Sequence, residues 1–363
     1  MKFTDRVQAS LWKTAEWFKG WAWKLGSLYH PANLKQRGLL ASAGLLFAAA
    51  MVFSIFVGWY WSQEPGSFDV RQVALQRIGS DTEKLPVGVV YTSTLIHIGE
   101  VLLDKPGGYL SNDVMPPGVW LDNMPNWEYG ALVVLRDGAA ALRNHISRSQ
   151  SQSVEDLALS EAEPRFNFRN DSWLFPPTER EYRKGLDELG DYMRRLADPA
   201  DQQAQFYARA DNLRQYLEIV EKRLGSLSQR LSASVGQTRV NTDLAGDAGA
   251  TQSTSTSSSM VVQTPWLELD NVFHEARGAT WALREILKAV EYDFGDVLEK
   301  KNARISLRQV IRELEEAQQP TFSPVIFNGS GFGLFANYSL TMANYIARAN
   351  AAVIDLRGLL QQG

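Results

Sequence analysis

The chain has 363 residues, of which 45% are apolar and 21% charged, and it contains no cysteine. This composition is typical of a protein that buries a core, and the lack of cysteine excludes disulfides, thiol nucleophiles and cysteine metal sites. The net charge of −4 is unevenly distributed: residues 1–37 carry seven basic and two acidic side chains, a net +5, whereas residues 38–63 carry none, which leaves −9 on the rest. A basic arm and an acidic body indicate different surroundings.

Residues 38–61 form a run of 24 residues without a charged side chain. At 1.5 Å per residue, a helix of this length crosses a hydrocarbon core of ~30 Å. Trp59, Tyr60 and Trp61 end the run with rings that favour the membrane interface, and Lys35 and Arg37 flank its start, which places the N-terminus in the cytoplasm. The alternatives are a signal peptide, whose apolar core is shorter and followed by small residues, and a buried soluble helix, which is rarely apolar all round.

The basic arm carries an apolar stripe at steps of three and four, with its lysines and arginines off the stripe. We therefore predict a helix that lies in the membrane surface over residues 1–37. Trp12 and Trp23 project to the other side, so a helix that docks on a partner protein and a disordered arm remain as alternatives. The stripe consists of Phe3, Val7, Leu11, Thr14, Phe18, Trp21, Leu25 and Leu28.

Helix signals dominate after the apolar run. Asn126 is predicted to cap a helix whose stripe extends to Ile146, and Thr178 with Glu181 forms a capping box that opens a second helix. Asp198 followed by Pro199 is a third start signal. The next stripe has coiled-coil spacing, and the short turn at 197–199 predicts that it folds back on the preceding helix, with the excess facing another helix or another subunit. This seam comprises Phe206, Ala210, Leu213, Leu217, Val220, Leu224, Leu227 and Leu231.

Residues 236–263 are rich in Ser, Thr, Gly and Ala and are predicted to be a flexible exposed loop. Helices are predicted from Thr264 and Pro265 to about Glu291, over 305–317, and along the C-terminal stripe that ends at Leu360, with a glycine hinge at 329–333. The predicted fold is predominantly all-α: an arm at 1–37, a transmembrane helix at 38–62, and a periplasmic helical-bundle domain at 63–363 with a coiled-coil-like hairpin.

The four histidines, at 30, 97, 145 and 274, have no metal-ligand spacing. His274 and Glu275 begin like a zinc-protease motif, but Gly278 stands where the second histidine is required. We therefore expect no metal and no cofactor.

Residues 107–128 concentrate turn residues, carboxylates and tryptophans, and we identify Asp113, Trp120, Asp122, Trp127 and Glu128 as a candidate ligand or partner surface. Aromatic platforms beside acids suit glycans, and a pair of carboxylates can cleave a sugar linkage. The alternative is a structural loop in which the acids satisfy turns and caps while the tryptophans fill the core.

The segments GGYLSND at 107–113, DNMPNWEYG at 122–130, FHEARGATWAL at 273–283, KNA at 301–303, NGSGFGLFAN and YIARANAA resemble a bacterial family known as domain of unknown function 2333. The resemblance covers nearly everything after the apolar run. It implies a Gram-negative inner-membrane protein with a periplasmic domain, and it implies no activity or site residues.

We therefore expect a single-pass inner-membrane protein that acts through protein contacts in the cell envelope, as a scaffold or accessory factor. The expected partners are membrane lipid and either an envelope protein or a second copy of the chain, with no nucleic acid. Enzymatic activity is not favoured. The alternative is a module that binds or cleaves cell-wall glycan through the loop at 107–128.

Overall fold

The computed structural model describes residues 38–79, 85–148, 155–201, 203–240, 259–321, 323 and 325–362, together with scattered positions between 16 and 30. It confirms the predominantly helical fold. The chain forms two compact units, Met1–Tyr60 and Trp61–Gly363. The predicted stripe of the basic arm lies outside the described residues.

One helix among the described residues, α1 at Leu39–Trp61, is long and apolar enough to cross a membrane. Its side chains, among them Leu40, Phe47 and Phe53, are exposed. A core helix of a soluble protein would bury them, so this exposure favours the membrane-spanning interpretation.

The second unit, from Trp61 onward, contains ten further α-helices among its described residues. They are α2 Val70–Ile78, α3 Val89–Asp104, α4 Asn123–Ala141, α5 Leu157–Phe166, α6 Thr178–Ala197, α7 Ala210–Ser232, α8 Leu269–Asp293, α9 Gly295–Lys300, α10 Arg304–Glu316 and α11 Tyr338–Gln361. Two short antiparallel strands, β1 Gln237–Val240 and β2 Ser259–Val262, form a ribbon.

Helices α4 and α8 run parallel at the centre of the bundle and approach closely through glycine. A Cβ atom added at Gly278 would lie 1.9 Å from the Trp127 carbonyl oxygen, and one at Gly130 would lie 1.9 Å from that of Glu275. Helix α3 runs antiparallel to α8, and the Tyr91 amide donates to the Asp293 carboxylate at 2.7 Å. These glycines allow two backbones to meet where any larger residue would separate them.

The predicted seam is buried as expected from Leu213 to Leu231, but its predicted partner is wrong. Helix α7 packs mainly against α11 rather than α6. Residues 203–209 are not helical, so the helix begins at Ala210, and Phe206 packs beside Tyr91 and Phe294 instead of joining the seam. The segment after α6 therefore crosses the bundle rather than turning back on α6.

Three local predictions also differ. Helix α4 begins at Asn123 rather than after Asn126, whose amide donates to the Asp122 carbonyl at 2.8 Å. The Thr178 hydroxyl contacts the Arg169 and Ser172 backbone, and Glu181 pairs with Arg165 and Lys184, so no capping box forms. The two ends of the predicted loop at 236–263 pair as β1 and β2, whereas residues 241–258 lie outside the described residues.

Several loops meet at one end of the bundle because α4, α6, α8 and α11 begin there while α3, α7 and α10 end there. Asn112 donates to the Ser172 carbonyl at 2.9 Å, and Asn328 donates to the Ser234 carbonyl at 3.1 Å. Arg277 donates to the Gln319 carbonyl at 2.9 Å. We call this region the loop end and define it as residues 61–68, 105–122, 169–177, 233–240, 259–268, 318–321, 323 and 325–337.

Candidate functional site at the loop end

Glu128 is fully buried and organises the loop that follows α3. Its carboxylate accepts the Leu110 amide at 2.8 Å, the Ser111 amide at 2.9 Å and the Ser111 hydroxyl, and it pairs with the Lys105 ammonium group. Lys105 also donates to the Gly108 carbonyl. A charge removed from water is tolerated only when it is paired and hydrogen-bonded in this way. Glu128 therefore holds residues 105–111 in place and has no surface to offer a ligand.

Trp127 is also fully buried, with its ring centroid 5.0 Å from that of Trp281. Its carbonyl lies against Gly278 at the crossing of α4 and α8. Trp127 and Glu128 were both candidates for a surface, and the structure places both in the interior. The ring fills the core, as the structural-loop alternative requires.

The other three candidates are accessible. Trp120 is 57% exposed on a short 3-10 turn, and Asp122 is exposed at the start of α4. Asp113 is half-buried over Gly118, and burial together with the charge of Glu179 raises its pKa. Asp122 lines a groove of about 260 Å³ with Trp266 and Asp270, two residues that sequence reasoning did not connect with it.

The connecting segment, residues 61–68, is fastened to the domain by an ionic cluster. The Arg277 Nε donates to both Glu64 carboxylate oxygens at 2.8 Å, and His274 Nδ1 lies 3.2 Å from Glu64 Oε1. Burial raises the pKa of Glu64, but the hydrogen bonds and charges of His274 and Arg277 outweigh burial and lower the pKa to about 2. His274, which stands in the incomplete zinc motif, is thus part of a carboxylate clamp.

Aromatic side chains also hold the connecting segment. The Trp281 indole donates to the Gly66 carbonyl at 2.9 Å, and Phe68 packs edge-on against His97 with centroids 4.3 Å apart. Trp61, the last residue of α1, lies over Gly107, where a Cβ atom would approach its ring to 2.7 Å. Sequence patterns did not predict this clamp. Its one signal was that Glu64 is the first charge after the apolar run.

Large apolar side chains protrude from the loop end. They lie on turns whose two ends are joined by hydrogen bonds. The Ser172 hydroxyl donates to the Pro176 carbonyl at 2.9 Å, and the Thr178 amide donates to the Ser172 carbonyl at 3.0 Å, so the loop between them is held outward. Similarly, the Tyr338 amide donates to the Phe327 carbonyl at 2.9 Å. The protruding side chains, which we call the apolar tips, are Val114, Met115, Val119, Trp120, Trp173, Leu174, Phe175, Trp266, Leu267, Phe332, Leu334 and Phe335.

The described parts of the opposite end expose far fewer such residues, namely Val87, Leu157, Tyr292 and Ile305. The described residues contain no group of three or more His, Asp or Glu side chains that could hold a metal ion. The accessible features of the loop end include the apolar tips and the groove beside Asp122.

Comparison with known proteins shows the family of this chain. Neither the curated proteins nor the solved structures contain a match to this chain. A family model described as "Uncharacterized protein conserved in bacteria (DUF2333)" matches residues 34–363, which include α1 and the whole second unit. The match covers most of the chain, and the chain therefore belongs to this bacterial family.

Proposed function

We propose that this chain is a single-pass protein of the bacterial inner membrane whose domain lies in the periplasm and acts there through protein contacts, as a scaffold or accessory factor. The observation that carries the proposal is the clamp on the connecting segment by Glu64, His274 and Arg277. The clamp fixes the domain to the chain immediately after α1.

The clamp limits how far the domain can be from the membrane. Glu64 lies three residues beyond Trp61, and three extended residues span at most about 10 Å. A flexible tether would let a domain search the periplasm, whereas a clamped one stays beside the bilayer. That position suits a protein that assembles with other membrane proteins.

The orientation follows from charge. Residues 1–37 carry a net +5 and directly precede α1, and basic residues near a span are retained on the cytoplasmic side. The family is bacterial, so a domain on the other side of the inner membrane lies in the periplasm.

Photocrosslinking in cells tests the protein contacts. A photoreactive residue is placed at Tyr129 or Ile354, which are exposed on the sides of the bundle, or at Phe47 in α1 as a control for general membrane neighbours. We expect a discrete adduct from at least one side position that is absent from the Phe47 control. The proposal fails if no side position gives an adduct and purification in mild detergent returns no stoichiometric partner.

A second candidate function is binding of cell-wall glycan, and the groove beside Asp122 favours it. Trp266 is 76% exposed and shares that groove with Asp122 and Asp270, an aromatic face beside two carboxylates. Co-sedimentation with purified peptidoglycan tests it, with Trp266→Ala as the variant expected to lose binding and Trp173→Ala as the matched control. Equal sedimentation of both variants, or none by the unaltered protein, would exclude this function.

A further inference from the structure

The apolar tips lie in short stretches of sequence that lack charge, although Asp113, Asp122, Asp171 and Glu268 flank these stretches. Residues 114–121, 172–177, 260–267 and 317–347 contain no Asp, Glu, Lys or Arg. Soluble surfaces rarely combine large exposed apolar groups with so few charges, and such patches mark a contact with a partner or a membrane. The tips are therefore a candidate contact surface.

Other features of the loop end indicate that the tips contact a membrane. Trp61 ends the only helix in the described chain that is apolar enough to cross a membrane, and its ring packs on Gly107 in the same loop that carries Met115 and Trp120. The hydrogen bond from Trp281 to the Gly66 carbonyl and the pairing of Glu64 with Arg277 fasten the following residues to the same end. Where Trp61 lies in the membrane interface, which aromatic residues at the end of a span favour, these contacts hold the loop end beside it.

We infer that the loop end is a lipid-binding face, whose apolar tips insert into the interface of the leaflet from which α1 emerges. This inference rests on the membrane anchoring in the proposed function. Tryptophan and other large apolar side chains enter the interface to a depth of about 5–10 Å, whereas charged side chains are costly there. The tips match this chemistry: Trp120, Trp173 and Trp266 accompany the aliphatic groups, and Phe175 is 93% exposed.

Hydrogen bonds and an ion pair hold the loops that carry the tips, as a surface that inserts into a membrane requires. The Asn112 amide donates to the Ser172 carbonyl and to Glu179 Oε2, both at 2.9 Å, and so ties the loop of Met115 to the loop of Phe175. Below them the buried pair of Glu128 and Lys105 fixes residues 105–111. Two loops 60 residues apart in sequence therefore present their apolar groups together.

The lack of native cysteine allows a direct test on the full-length protein. Single cysteines replace Met115, Phe175 or Leu267 at the loop end, and Leu157 or Ile305 elsewhere as controls; all five side chains are exposed, so no core contact is lost. Phe47→Cys in α1 reports anchoring. Each variant carries an environment-sensitive fluorophore and is reconstituted in vesicles of phosphatidylethanolamine and phosphatidylglycerol. Quenching is measured with a phospholipid bearing an acyl-chain nitroxide and, separately, with iodide on both sides of the membrane.

We expect the loop-end labels to shift to shorter wavelength and to be quenched by the nitroxide lipid, as the Phe47→Cys label is. The control labels should be quenched by iodide alone. Loop-end labels that respond like the controls, while the Phe47→Cys label is quenched by lipid, would overturn the lipid-binding face and leave the anchoring intact.

Other outcomes are also decisive. A Phe47→Cys label that the lipid does not quench would defeat the anchoring and the inference together. Loop-end labels shielded from iodide but not quenched by lipid, with shielding that increases with protein density in the vesicles, would assign the tips to a second copy of the chain and overturn the lipid-binding face.

Discussion

Replacing Glu128 by glutamine tests whether the loop at 105–111 is held by a buried charge. The carboxylate is fully buried, pairs with Lys105, which is itself 7% exposed, and accepts three further hydrogen bonds from Leu110 and Ser111. The amide keeps the shape of the side chain but removes its charge, so the Lys105 ammonium group is left buried without a counter-ion. Removing one partner of a buried pair costs about 3–5 kcal/mol. From the sequence alone, Glu128 is expected to be a turn or capping group, and its replacement by glutamine would then cost at most ~1 kcal/mol.

The assay is denaturant unfolding of the full-length protein in detergent, followed by near-ultraviolet circular dichroism. Asp122→Asn is the matched control, since it makes the same chemical change on an exposed residue nearby and should alter the free energy of unfolding by no more than about 0.5 kcal/mol. Lys105→Met supplies the second single variant of a double-mutant cycle. Because each single variant leaves one charge unpaired, the double variant should be less destabilised than the sum of the two.

A loss below ~1 kcal/mol for Glu128→Gln would refute the buried pair, as would strict additivity in the cycle. Loss of activity in a complementation assay by a stable Asp122→Asn protein would indicate instead that the exposed carboxylate has a direct functional role.

Three further predictions concern the frame that carries the loop end. Gly278→Ala should destabilise the domain by about 1–3 kcal/mol or more, because the new Cβ would meet the Trp127 carbonyl at 1.9 Å. The control Gly190→Ala, whose Cβ would meet nothing within 4 Å, should stabilise the domain by up to ~1 kcal/mol. Equal effects of the two variants in thermal unfolding would contradict the close approach of α4 and α8. In denaturant unfolding, Leu217→Ala on α7 should cost about 2–5 kcal/mol and Val353→Ala on α11 about 1–4 kcal/mol. A loss under ~0.5 kcal/mol for either variant would contradict the packing of these two helices against each other. Glu64 has a pKa lowered from 4.5 to about 2, so it stabilises the fold above pH ~4.5, and that contribution of about 3 kcal/mol is lost as the pH falls toward 2. The stability difference between the unaltered protein and Glu64→Gln should therefore shrink over this range, and a difference independent of pH would refute the clamp.

The membrane helix and the seam show what a local pattern can predict. The charge-free run at 38–61 predicts α1 almost to the residue, because the bilayer imposes a length and a composition on any helix that crosses it. The heptad spacing likewise predicts that Leu213 to Leu231 are buried. Such spacing says that a face is covered but not by which helix, and α11, more than a hundred residues away, covers it. The proximity of α6 in the sequence therefore led to the wrong prediction of the packing partner of α7.

Helix α3 was missed for a related reason. It is packed between other helices, and Val89 to Ile96 are all buried, so it lacks the alternation of apolar and polar faces that reveals a surface helix. Its Val, Thr and Ile residues also have low helix propensity, which tertiary packing overrides.

The candidate site divides along similar lines. Asp113, Trp120 and Asp122 are accessible, as a ligand or partner surface requires, but Trp127 and Glu128 have residue types that a sequence cannot assign to surface or core. The burial of Glu128 depends on its contacts with Lys105, Leu110 and Ser111, which lie 17 to 23 positions away in the sequence. The apolar tips come from loops that only the bundle brings together, so no window of sequence contains them.

Reporter fusions test whether α1 crosses the membrane once and leaves the domain on the periplasmic side, as we propose. A reporter that is active only in the periplasm is fused near Tyr29, before α1, or after Gly363, beyond the domain, with expression of both fusions checked by immunoblot. We expect activity from the fusion after Gly363 and none from the fusion near Tyr29. Activity near Tyr29 alone would reverse the orientation, and equal activity from both fusions would contradict a single membrane crossing.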